Sequence, residues 1–161
     1  MPFRPEPAHS HGSPARTAVL LVNLGSPDEP TAPATRRYLA EFLSDPRVVE
    51  IPRLVWWLVL NAIILNTRPA KSAAKYATIW TPEGSPLVAG TARLEKLLRG
   101  HLGERGLPVL VRHAMRYGNP SVASALDALR SEGATRVLVL PLYPQYAAAT
   151  TASVWDAVAL W

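Results

Sequence analysis

The sequence contains no cysteine. That one absence excludes disulfides, thiolate zinc sites and iron–sulfur clusters ligated by this chain. Blocks of like charge are also missing. The 17 Lys and Arg against 12 Asp and Glu leave a net +5 that is thinly spread. With no RNP, helix-turn-helix or zinc pattern alongside, nucleic acid is not an expected partner. Long apolar runs are lacking too: the longest, Leu54 to Leu65, falls well short of the roughly 20 residues that span a bilayer. The shorter run AVLLVNLG contains Asn23 and has no small-residue cleavage site after it, unlike a secretory signal. A cytoplasmic protein is predicted, with peripheral membrane contact through the Trp56-Trp57 segment as an open alternative to core packing or an interface.

What is present is enough for one domain with a real core: 161 residues, of which 48% are apolar. Residues 1–16 are rich in Pro, His and Ser without a hydrophobic period and are predicted to be a disordered tail. The body of the domain is placed at 17–149. Residues 150–161 read as the start of a further helix. TAVLLVNLG, Thr17 to Gly25, is the continuous apolar run of a strand buried on both faces. Helical spacing of Tyr38, Leu39, Phe42 and Leu43 predicts an amphipathic helix that stops near Asp45-Pro46. A second, very apolar helix is expected over Arg53–Leu65. A third is expected to Ile79 with Pro69 in its first turn, and a fourth over Leu87–Leu102. PVLVRHAM at Pro108–Met115 and RVLVLPL at Arg136–Leu142 are further strands, separated by a helix over Pro120–Glu132 that Gly133 closes. Strands alternating with helices predict an α/β fold, a parallel sheet with flanking helices.

Ligands of such sheets bind beyond the carboxyl ends of the strands. That rule directs attention to the loops starting at Asn23, Arg116 and Tyr143. They read NLGSP, MRYGNPS and LYPQY, and offer a fixed cation, Arg116, with the phenols Tyr117, Tyr143 and Tyr146. Arg68 and Lys71 open the third helix, Tyr76 follows about two turns on, and Ser85 sits in the EGSP turn. Rings and aliphatics for the faces, cations for carboxylates and hydroxyls for orientation suit a large, flat, anionic ligand.

NLGSPDEPT, FLSDPRVVEIP, RPAKSAAKY, EGSPL, AMRYGNPS and LPLYPQYAAATTAS follow one another in this order. From about Ala18 to the C-terminus the chain thereby resembles the N-terminal half of the ferrochelatase family. The resemblance implies one Rossmann-like chelatase domain of a two-domain fold that holds a porphyrin in its cleft. It implies ferrous iron as a substrate and no cofactor bound by this chain. Carried over residue by residue, it gives Arg68, Tyr76 and Ser85 the propionates and porphyrin rim, with Lys71 assisting. Leu24 contacts the macrocycle, Arg116 and Tyr117 line the pocket, and Tyr143 is the pocket tyrosine of YPQY. Tyr146 receives no role.

The same resemblance places a metal-binding histidine and a proton-accepting glutamate in the second half of the family, beyond Trp161. It therefore assigns no catalytic and no metal-ligating residue here, and the chain alone is expected to be nearly inactive. Ferrous iron would be met through that second half, and residues 150–161 would lead into it. None of the four histidines fills the gap. His9 and His11 stand in the tail, His101 in a helix, and His113 reads as a strand-end histidine satisfied by backbone. Two alternatives remain at this point: a non-catalytic porphyrin- or haem-binding protein, and a nucleotide-binding α/β domain. The latter is disfavoured because NLGSP lacks the G-x-G-x-x-G pattern and the Walker lysine.

Overall fold

A computed structural model describes Gly12 and residues 14–161; His9, His11 and most of the predicted tail lie outside the described residues. Three parallel strands form the sheet in the order β2-β1-β3: β1 Thr17–Ser26, β2 Leu110–Gly118 and β3 Arg136–Pro141. The predicted α/β class is what the chain adopts. β1 is the central strand, and its unbroken apolar sequence follows from neighbours on both edges and helices on both faces. Its register pairs Leu21 with His113 and Val22 with Ala114 on β2, and Leu20 with Val139 on β3.

Alternation along the strands sorts the helices between the faces. Ala18, Leu20, Val22 and Ala114 point to one face. There they join Val122, Ala125, Leu126 and Leu129 of α5 (Val122–Ser131) and Val154 of α6 (Ser153–Ala159) in one buried cluster. Asn23 and His113 point to the other face, where Thr91 and Glu95 of α4 (Pro86–Glu104) meet them. A second cluster joins Tyr38, Leu39 and Leu43 of α1 (Ala32–Ser44) to Leu60, Leu65 and Tyr117.

Three predicted boundaries move. The expected second and third helices are one continuous helical run: α2 (Arg53–Val59), a π-helical turn over Leu60–Ile64, and α3 (Leu65–Ile79). Pro69 therefore lies inside a helix, not at its start. A proline there removes the N–H that would bond the carbonyl four residues back. The carbonyl of Leu65 is bonded instead by Arg36 Nε from α1 at 3.0 Å. β2 runs on to Gly118, so Arg116 and Tyr117 belong to the strand and not to the loop after it. Finally, a π-helical turn at Ala148–Ala152 precedes α6.

Candidate functional site

Two glycines shape the carboxyl ends of β1 and β2. Gly25 has φ +108°, and a Cβ on it would stand 1.8 Å from the Tyr117 carbonyl oxygen; Gly118 has φ +85°, and its Cβ would stand 2.8 Å from the Ser26 oxygen. No other residue fits either position without moving backbone. The loop expected from Asn23 is therefore still strand as far as Ser26, and the Leu24-Gly25 end of β1 is pressed against the end of β2. Leu24 is half-buried against the cluster that contains Tyr38 and Tyr117.

An aromatic row lies beside this end of β1. Tyr76 of α3 meets Tyr38 edge-on at 6.4 Å between centroids, Tyr38 stacks on Phe42 at 6.0 Å, and Phe42 meets Tyr117 edge-on at 5.0 Å. Such offset and edge geometries are the favoured ones for rings. The Tyr38 hydroxyl donates to the Gly25 carbonyl at 3.3 Å. Burial pushes the phenols of Tyr38, Tyr76, Tyr117 and Tyr143 above their ordinary value. None of them is a base at neutral pH.

Arg116 and Tyr117 lead into a buried polar network. Arg116 Nη2 donates to Asp45 Oδ2 at 2.6 Å, and its Nε donates to the Ser153 carbonyl at 2.8 Å and the Ser153 Oγ at 2.6 Å. Its guanidinium carbon lies 4.5 Å from the Tyr117 ring centroid. The Tyr117 hydroxyl and the Ser153 hydroxyl also donate to Asp45 Oδ2, at 2.8 and 2.6 Å. Burial disfavours ionisation of Asp45. The bonds from Ser153, the Arg47 N–H and Tyr117, with the charge of Arg116, outweigh it and hold the carboxyl below its usual range. An Arg47–Asp156 ion pair closes the network at the surface. A groove of about 640 Å³ opens beside it, with Asp45, Arg53, Arg116 and Asp156 among its walls.

The remaining predicted residues fall around this centre. Arg68 and Lys71 stand exposed on α3, with Tyr76 half-buried further along the same helix. Between Ile51 and Pro82 the sequence has four cations (Arg53, Arg68, Lys71, Lys75) and no acid. Ser85 is buried at the N-terminus of α4, where it makes no side-chain capping bond. Tyr143 follows β3, half-buried against the α5/α6 core, and its buried hydroxyl has no partner among the described residues. Tyr146 is exposed. His113 is held by the Glu95 carboxylate through both its ring Nδ1 and its backbone N–H. The expected backbone partner is thus replaced by a side chain of α4. Among the described residues no cluster of three or more His, Asp or Glu is arranged to hold a metal ion.

Sequence reasoning did not single out Asp45, Ser153 or the hydroxyl of Tyr38. Tyr38 read as one more apolar position of an amphipathic helix. Nothing local links positions 45, 116 and 153, which meet only because α1, β2 and α6 end at one place. A Tyr among the apolar positions of α1 was the one usable signal.

The chain leaves β1 for the face covered by α4 and leaves β3 for the face covered by α6. The carboxyl ends of β1 and β3, carrying Leu24 and Tyr143, therefore flank a topological switch point, where open α/β sheets take their ligands. Fold and strand order define a doubly wound α/β domain. A profile of the ferrochelatase family matches residues 16–161. Relatives named ferrochelatase include one from Methylibium petroleiphilum, 72% identical over the whole of this chain and 44% of its own length. One from a Polaromonas species is 66% identical over the whole chain and 45% of its own length. One from Dechloromonas aromatica is 65% identical over 99% of the chain and 43% of its own length. The chain belongs to the ferrochelatase family. It spans less than half the length of these relatives, and the stretch matches the family's N-terminal half.

Proposed function

We propose that this chain is the porphyrin-holding half of a ferrochelatase, which inserts ferrous iron into protoporphyrin IX to form haem. The observation that carries the reading is the family match over nearly the whole chain, together with the residues at the switch point. Leu24 and Tyr143 flank the cleft, and the acid-free α3 offers Arg68 and Lys71 to the two propionates. Tyr76 and Ser85 orient the rim. Arg116 and Tyr117 line the site from behind, keeping the end of β2 in register with α6. Metallation removes two pyrrole protons, which requires a base within hydrogen-bond reach of the ring centre. The phenols found here are held neutral by burial, and His113 is occupied by Glu95. The base and the ferrous iron ligands accordingly belong to the part of the family that the longer relatives contain.

The same reading gives the exposed face of α2 a place. Leu54, Val55, Trp57 and Leu58 are all more than half exposed. Flanking cations favour an anionic lipid surface, so this ridge would rest on the cytoplasmic face of a membrane. No helix among the described residues is long and apolar enough to cross one. The central test is anaerobic. Ferrous iron and porphyrin are mixed with the 161-residue chain, and loss of free-porphyrin fluorescence is followed. The expected rate is the uncatalysed background, rising when the chain is joined to the remainder of the Methylibium relative. Sustained turnover by the isolated chain, surviving His113→Ala, would overturn the assignment of the base. Porphyrin binding without recovery in the joined protein would favour a non-catalytic porphyrin carrier.

A further inference from the structure

Tyr38 touches both parts of the proposed porphyrin-facing set and is itself buried, at 6% exposure. On one side its hydroxyl donates to the Gly25 carbonyl at 3.3 Å and so secures the end of β1 that presents Leu24. On the other its ring takes the edge of Tyr76, 6.4 Å between centroids, with the planes 86° apart. Phe42 stacks on it at 6.0 Å. On the β2 side, the Tyr117 carbonyl oxygen leaves no room for a Cβ on Gly25. The end of β1 is thus held between β2 and one phenol of α1.

We infer that Tyr38 is a positioning residue that couples the Leu24-Gly25 end of β1 to Tyr76, so that macrocycle face and porphyrin rim are held at one spacing. It does not touch the ligand. Its contribution is to remove freedom that Tyr76, half-buried on one side of α3, would otherwise lose on binding. The inference rests on the porphyrin reading for its consequence, but the coupling itself is a property of the free chain.

The experiment has a ligand-free arm and a ligand arm, both on the 161-residue chain. In the first, the tyrosines carry a ring fluorine and are followed by fluorine NMR. Tyr38→Phe keeps the ring and removes only the hydroxyl. It should shift or broaden the Tyr76 resonance while leaving that of the exposed Tyr146 in place. Tyr76→Phe should reciprocally move Tyr38, which supplies the answer if the first variant folds poorly. An unmoved partner resonance in both variants would sink the inference. In the second arm, protoporphyrin binding is titrated by fluorescence. Tyr38→Phe and Tyr76→Phe should each weaken it about two- to tenfold, the loss expected of one hydrogen-bonding group. The double variant should lose less than the product of the two single losses, because the two residues are coupled. Multiplying losses would refute positioning. Failure of the unaltered chain to bind porphyrin at all would refute the functional reading and leave the NMR result standing.

Discussion

One carboxylate oxygen of Asp45 takes hydrogen bonds from Arg116, Tyr117 and Ser153 at once. Removing a single partner from a buried pair of this kind strands the other charge and costs about 3 kcal/mol or more. Asp45→Asn should therefore lower stability clearly at about neutral pH. The pH dependence has a definite sign. Asp45 has a folded pKa below its unfolded value of about 4, so its stabilisation is complete above that pH. It is lost as pH falls through the folded value. Urea melts of both proteins at about pH 7 and about pH 3 check this, since the gap between them should narrow in acid. A constant gap would mean that the carboxylate charge is not what matters. Phenols raised by burial run the other way: with Tyr38 and Tyr117 neutral in the fold, stability should decline above about pH 10 as the unfolded tyrosines ionise. Arg68 carries a separate prediction. It is exposed in the free chain, so its contact with a propionate lies at the weaker end for a charged hydrogen bond. Arg68→Ala should cost about 1.5 kcal/mol, or roughly tenfold in Kd for porphyrin. An unchanged Kd removes it from the carboxylate role.

The helical run Arg53–Ile79 shows how one element serves two surfaces. Its α3 part packs on α1, with Leu65 and Ala73 buried and Arg36 satisfying the carbonyl that Pro69 leaves open. Arg36 is itself exposed, so Arg36→Ala should cost about 1 kcal/mol, the low end for an unpaired carbonyl. A thermal melt reads it directly. The α2 part reaches the core through Trp56, whose indole N–H donates to the Leu43 carbonyl at 2.6 Å, whereas Leu54 and Trp57 are 74% and 60% exposed and can be changed without harm to it. Leu54→Ser with Trp57→Ser should leave the melt unchanged and reduce sedimentation with anionic vesicles. Equal sedimentation of the two proteins would discard the membrane-facing role of α2. The periodicity of residues 53–65 announced a helix. The fusion with its successor was invisible, because Pro69 looked like a start signal until Arg36 arrived from elsewhere in the chain to compensate it.

At the scale of the molecule the sheet is unfinished on one side. β3 is an edge strand with Val137, Leu138 and Leu140 exposed, Leu138 at 59%. Leu138 and Leu140 point to the face on which α4 packs against β1 and β2. An open, apolar edge is a template for association. The isolated chain should bind a hydrophobic dye and self-associate as concentration rises, and Leu138→Lys should reduce both. A monomeric chain that ignores the dye would show that this face is protected in solution.

The continuous apolar run at 17–25 and the alternation of strands with helices determined the parallel α/β class, since a strand buried on both faces needs that composition; the similar run at 136–142 announced a strand, but only the fold shows it exposed at an edge. The ordered motifs likewise determined the family. Glycine at 25 was legible as a turn, but its necessity comes from the Tyr117 carbonyl, a contact across 92 positions of sequence. Tertiary structure alone decided which polar groups are free to meet a ligand. Arg116 and Tyr117 sit in a motif that reads as a binding loop, yet folding gives their polar atoms to Asp45 and Ser153. Arg68 and Lys71 remain turned to solvent. Residue type and spacing carry the capacity for a hydrogen bond, but its partner is chosen only when distant segments come together and water is excluded between them.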